Sequence, residues 1–367
     1  MTDLFVGLMS GTSMDGIDAV LVSFDESGVR IHASHTQHYP DKLRSALLAA
    51  IREPLDVELD QSGILDHDVG ECFRDAALTV LAKGGANKKD VLAIGSHGQT
   101  LRHQPNAEPP YSLQIGDADI IAAGTNVATI ANFRQADIAA GGQGAPLVPP
   151  FHAWLFGSAN SDRVVVNIGG IANITVLPAK NPAVTGFDTG PGNGLLDAWV
   201  REHLDQPFDA DGRWAATGKV VEPLLAQLLA DPYFALAPPK STGFEYFNLA
   251  WLRKFHVDEH QPGDVQATLC ELSATTIADS IGQYATHCAE AFICGGGTHN
   301  RELMRRLSNK LPEISVSSTS AAGLDPDWVE AAAFAWLAMR TLRGQTGNLP
   351  SVTGARHKVV LGEIHSP

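Results

Sequence analysis

A strand, a glycine turn and a second strand occur twice in this chain, about 160 residues apart. LFVGLM (4–9) runs through SGTSMDG into IDAVLVSF (17–24), and RVVVNI (163–168) runs through Gly169-Gly170 into IANITVL (171–177). Alternation and β-branching mark all four segments as strands. The separation is a domain's length rather than a solenoid period, so the 367 residues are expected to form two similar lobes by internal duplication. Helical patterns at 41–52, 64–83, 194–203 and 265–288 alternate with apolar strands at 91–96 and 291–294, which is α/β grammar. Asp325-Pro326-Asp327 supplies a cap, a proline suited to a helix start and a first-turn acid, opening a helix toward Arg343. Lobe boundaries are expected at 1–132 with about 340–367, and at 133–339.

Half of the glycine is concentrated. Six windows (7–18, 95–100, 141–146, 165–175, 186–194 and 294–300) hold 17 of the 35 glycines and no lysine or arginine, and their only charged side chains are Asp15, Asp18 and Asp188. Such stretches mark places where backbone comes close to something. The formal charge of −15, without any Lys/Arg run, excludes nucleic acid and anionic membrane as main partners. Nothing reads as a signal peptide or membrane span, so a cytoplasmic location is expected. Cys72, Cys270, Cys288 and Cys294 form no CxxC or zinc pattern and read as reduced thiols.

Several familiar chemistries are ruled out by spacing. Gly11-Thr12-Ser13-Met14-Asp15-Gly16-Ile17-Asp18 has the glycines of a Walker A loop, but Ile17-Asp18 stand where Lys and Ser/Thr are required. Gly190-Pro191-Gly192-Asn193-Gly194 misses the dinucleotide fingerprint, and Ser10 comes one position late for a nucleophile elbow. The first turn is then either a hairpin exploiting Gly and Asp, or a site where amides, the Thr12 and Ser13 hydroxyls and a carboxylate hold a Mg-nucleotide. Gly295-Gly296-Gly297-Thr298-His299-Asn300 is either a tight strand-to-helix connection or bare backbone for a flat base. Asp188 either caps the following helix or acts as general base, and Glu330 is either a helix-dipole partner or a second catalytic acid. His97, Gln99 and Arg134 beside glycine turns are hydrogen-bonded core residues or sugar-binding groups.

MSGTSMDGID (9–18), GSHGQT (95–100), GGQGAPLVP (141–149), VNIGGIANIT (166–175), FDTGPGN (187–193), GGGTHN (295–300) and PSVTGA (350–355) together resemble the anhydro-N-acetylmuramic acid kinases. The resemblance runs nearly end to end, and the shared order of motifs carries it. One departure is Asn132, where many members have Asp. The resemblance implies the two duplicated lobes of the sugar kinase, heat-shock ATPase and actin type, with nucleotide in the cleft between lobes. It implies ATP and Mg²⁺, a small sugar substrate and a homodimer. Gly11 to Asp18 would be the first phosphate loop, Asn167 to Thr175 with Gly169 and Gly170 the second, and Gly295, Gly296, Gly297 and Asn300 the adenosine segment. Asp188 would be the base and Glu330 its helper, with His97, Gln99 and Arg134 assigned to the sugar; no direct metal ligand is assigned. Two rivals remain: an actin-like or chaperone-like nucleotide switch, and a phosphatase or plain sugar kinase acting on a free hydroxyl.

Overall fold

The computed structural model describes every residue except Met1, Thr2, Thr12, Ser13, Asp15, Ser27, 53–58, Asn181 and Pro182. The chain divides into two compact units, Met1–Leu155 with Trp328–Pro367, and Phe156–Asp327. Relative to the expected boundaries near 132 and 339, the segment 133–155 and the helix Val329–Leu342 go with the first unit.

In the first unit the strands are β1 (Leu4–Met9), β2 (Gly16–Asp25), β3 (Gly28–His38), β4 (Val91–Ser96), a separate hairpin β5 (Gln99–Gln104) and β6 (Tyr111–Ile115), and β7 (Thr129–Ala131). The second unit contributes β8 (Asp162–Ile168), β9 (Ile171–Leu177), β10 (Thr185–Pro191), β11 (Cys288–Cys294) and β12 (Ser315–Ser318), and β13 (Glu363–His365) returns to the first. The main sheet of the first unit has the order β13-β7-β4-β1-β2-β3, and that of the second β10-β9-β8-β11-β12. Without β13, both sheets read third, second, first, fourth, fifth strand. The senses also agree: β1/β2, β2/β3, β8/β9 and β9/β10 are antiparallel, while β1/β4, β4/β7, β8/β11 and β11/β12 are parallel. The fold class is the expected α/β, with two units built on the same strand plan.

Each sheet buries its own core. Val6, Leu8, Ile17, Ala19 and Leu21 of the first hairpin pack with Phe73 and Val80 of the helix Leu59–Lys83, whereas Val164, Val166, Ile174 and Phe187 pack with Leu269, Ile277 and Ile281 of the helix Pro262–Tyr284. Fully buried side chains of this size stabilise by about 1.5–3 kcal/mol each. A Cβ on Gly7 would lie 1.8 Å from the Ala331 carbonyl oxygen, and one on Gly95 2.1 Å from that of Phe334. These two glycines let the helix Val329–Leu342 lie directly on β1 and β4, so their close partner is protein backbone rather than a ligand.

Candidate active site

In the first unit, the turn leaving β1 is tied to the start of β5. Ser10 Oγ lies 2.7 Å from Gln99 Oε1 and 2.8 Å from the Gly16 carbonyl oxygen, and the Tyr39 hydroxyl donates to Ser10 Oγ at 3.2 Å. Gln99 Nε2 donates to the Gly11 carbonyl at 3.3 Å. Gln99 is completely buried, so both ends of its amide hold the turn itself. Met14 and Ile17 are buried in the core, leaving only their backbone for a ligand. Met14 has a left-handed φ of 50°, and its carbonyl accepts from Arg44 Nε at 2.9 Å. Asp18 Oδ1 accepts from Thr36 Oγ1 at 2.8 Å. Thr12, Ser13 and Asp15, expected to hold nucleotide, lie outside the described residues.

Next to this turn stand the buried His97 and the half-buried Arg134, with the half-buried Glu330 near enough to act on Arg134. His97 Nδ1 is 2.9 Å from the Gly98 carbonyl, which can only accept, so Nδ1 carries the proton and Nε2 accepts from Arg134 Nη2 at 2.9 Å. Burial, followed by the Arg134 cation, pushes the imidazole down to about 3. Burial also brings Arg134 down to about 10, opposed by the negative charge of Glu330 in the first turn of its helix. Arg134 Nε is buried without a hydrogen-bond partner. Asn132 sits at φ 54° and donates to Glu363 Oε2 at 3.0 Å, a contact an aspartate could not make without setting two carboxylates together.

In the second unit the strand ends bring three motifs together. The amides of Gly192 and Gly194 donate to the Gly170 carbonyl at 2.9 and 3.0 Å, and that of Asn193 to Gly169 at 2.8 Å, so the β8–β9 turn abuts the loop after β10. Ser273 Oγ donates to the Gly192 carbonyl at 2.9 Å and pins that loop to the long helix. A Cβ on Gly295 would meet Asn167 Oδ1 at 2.4 Å, and one on Gly297 would meet Ile168 at 2.3 Å, whereas one on Gly296 would meet nothing nearer than 3.9 Å. Asn167 Oδ1 is buried and unpartnered, and the backbone at Gly296 is bare. Asn300 caps the helix Arg301–Lys310, its side chain accepting from the Leu303 amide at 3.0 Å.

Asp188 lies inside β10, beside a bulge at Thr189 that breaks the register with β9. It caps no helix; Asn193 occupies that position for Gly194–Leu204. Asp188 Oδ2 accepts the Thr242 amide at 2.9 Å, its amide donates to the Lys240 carbonyl at 3.1 Å, and the Tyr233 hydroxyl donates to its carbonyl at 2.8 Å. Burial raises this carboxyl to about 7, with the Thr242 hydrogen bond and Lys240 opposing and Glu245 reinforcing the rise. Sequence reading missed Tyr233, Lys240 and Thr242, which lie 45 to 54 residues away in the chain. The visible signal is the polar Lys240-Ser241-Thr242-Gly243 run after Pro238-Pro239. Among the described residues no three His, Cys, Asp or Glu side chains converge on a metal position, and no helix is long and apolar enough to cross a membrane.

A duplicated α/β fold with glycine turns at its strand ends and a carboxyl tuned to neutrality defines an enzyme acting on a small polar substrate. A family model described as anhydro-N-acetylmuramic acid kinase matches residues 3–367. A protein of that name from Shewanella pealeana is 51% identical over 366 residues, covering 98% of each chain. Another from Xanthomonas campestris pv. campestris is 50% identical over 366 residues, 99% of this chain and 97% of that one. The chain belongs to the anhydro-N-acetylmuramic acid kinase family and is a kinase.

Proposed function

We propose that the chain uses ATP and water to open the 1,6-anhydro ring of 1,6-anhydro-N-acetylmuramic acid and to phosphorylate O6. The products are N-acetylmuramic acid 6-phosphate and ADP, a step of peptidoglycan recycling. Asp188 carries this reading: its carboxyl, raised to about 7, can accept a proton near neutral pH. It takes one proton from the water that attacks C1, the C1–O6 bond breaks, and O6 takes the γ-phosphoryl as ADP leaves. The water's other proton stays on the C1 hydroxyl. Glu330 orients the water, and His97 and Arg134 bind the sugar.

The residues fit a nucleotide. Asn167 Oδ1 is an unpartnered buried acceptor, the Gly296 backbone is uncovered, and a Cβ on Gly169 would meet only the Ile171 carbonyl, at 3.5 Å. We assign the adenosine to Gly295 to Gly297 and the phosphates to the two hairpin turns, where amides and hydroxyls replace basic side chains. Mg²⁺ supplies charge neutralisation on the phosphates when bound, and Asp18 would hold it through water. The reading includes a cytoplasmic homodimer, which sizing of the protein in solution tests.

Turnover in ¹⁸O-labelled water decides between this coupled reaction and its rivals. The expected result is one labelled oxygen at C1 of the product and none in its phosphate. Label in the phosphate points to a phosphatase, unlabelled sugar to phosphorylation of a free hydroxyl, and ATP hydrolysis without sugar to a nucleotide switch.

A further inference from the structure

Seven of the twelve lysines and arginines of the second unit hold one of its own carboxylates within ion-pair distance: Arg163, Arg213, Arg253, Arg301, Arg305, Arg306 and Lys310. Lys240 differs. Its backbone carbonyl accepts the Asp188 amide at 3.1 Å, which fixes it beside the base. Its ammonium lies 4.8 Å from the centre of the Tyr233 ring and 5.9 Å from that of Phe187. Among the described residues its ammonium donates to the Tyr233 and Phe234 carbonyls, at 3.4 and 3.5 Å, and forms no ion pair. A half-buried ammonium resting on ring faces keeps hydrogen-bonding capacity for an incoming acceptor.

We infer that Lys240 is the specificity-determining cation of this site, its ammonium taking the lactyl carboxylate that sets N-acetylmuramic apart from N-acetylglucosamine sugars. The inference rests on the proposed function. That substrate brings one carboxylate, the glycine windows that would handle phosphate contain no basic residue to meet it, and Arg134, assigned to the sugar above, already donates to His97 Nε2. Partial burial lowers the proton affinity of Lys240 while the nearby Asp188 raises it, so an arriving anion adds counter-charge to a half-buried cation. Tyr233, which carries the ammonium on its ring and bonds the Asp188 carbonyl through its hydroxyl, couples carboxylate recognition to placement of the base.

The test is the Kd of the full-length protein, with a non-hydrolysable ATP analogue, for 1,6-anhydro-N-acetylmuramic acid and for 1,6-anhydro-N-acetylglucosamine, which lacks the lactyl group. Wild type should prefer the first sugar, and Lys240→Met should erase roughly 10- to 100-fold of that preference, the range of one charge-assisted hydrogen bond. Lys240→Arg should keep most of it. If the Met variant does not fold, Lys240→Gln takes its place. Equal loss for both sugars, an unchanged preference, or a loss confined to nucleotide affinity would overturn the inference. Wild type binding neither sugar overturns the proposed function, and the inference with it.

Discussion

The backbone amide of Thr242 donates a 2.9 Å hydrogen bond to Oδ2 of Asp188. That bond favours the charged carboxylate while burial favours the neutral acid, and the balance leaves Asp188 at about 7. If Asp188 is the base, kcat/KM should fall on the acid side with an apparent pKa near 7. Asp188→Asn should lower turnover by roughly a thousandfold or more, with nucleotide binding retained. Near-normal turnover in that variant would remove Asp188 from the chemistry.

The same carboxyl predicts a pH-dependent stability difference. An acid raised from 3.8 to about 7 on folding holds its proton longer in the native state than in the unfolded one. Its contribution is fully present below the unfolded value and is lost as pH rises through 7. Asp188→Asn should therefore be more stable than wild type at pH 8, by roughly 2 kcal/mol, and the gap should close toward pH 4. Thermal melts of both proteins across that range check the sign.

Helix placement on β1 and β4 depends on absent side chains. Gly95→Ala puts a methyl 2.1 Å from the Phe334 carbonyl oxygen and should cost about 1–3 kcal/mol while moving the helix that carries Glu330. Gly282, inside the helix Pro262–Tyr284 with nothing within 4 Å of its added Cβ, is the control. Gly282→Ala should stabilise by about 0.5–1 kcal/mol. Urea melts of the two variants should move in opposite directions.

Asp137 is completely buried and accepts from Thr353 Oγ1 and Asn348 Nδ2, both at 2.7 Å, and from the Gly144 amide at 2.8 Å. It joins the 141–146 glycine loop to the chain segment around PSVTGA. Asp137→Ala strands three donors and should cost about 2–4 kcal/mol by denaturant melt. A loss under 1 kcal/mol would mean that the loop repairs itself.

His97 is expected to stay neutral throughout the working range. With Nδ1–H on the Gly98 carbonyl and Nε2 facing Arg134, its pKa is pushed down to about 3. Its ring proton resonances should not titrate between pH 5 and 8. A midpoint near 6.5 would mean that the Arg134 contact is not made in solution.

The duplication, the hairpins and the carboxylates were legible before any coordinates because strand alternation and tight turns are local codes, readable within ten residues. LFVGLM and RVVVNI stand as β1 and within β8, and the helices expected at 194–203 and 265–288 stand at Gly194–Leu204 and Pro262–Tyr284. Local reading failed where partners are distant. Gly7 and Gly95 read as places of close backbone approach without saying to what, and their neighbour is a helix more than 200 residues away. Asp188 stands among Gly and Pro residues, a composition that suits turns, yet it pairs with Asn173 of β9 just before a bulge.

The sequence by itself determined what kinds of groups are available: glycine turns without basic residues, three carboxylates among them, and two copies of one strand plan. Only the tertiary structure decided how those groups behave. The proton affinity of Asp188 follows from burial, the Thr242 amide and Lys240, the tautomer of His97 from Gly98 and Arg134, and the fixed position of Gln99 from Ser10 and Gly11. Each depends on desolvation and on hydrogen-bond partners, most of them brought together by long-range pairing, which no local pattern encodes.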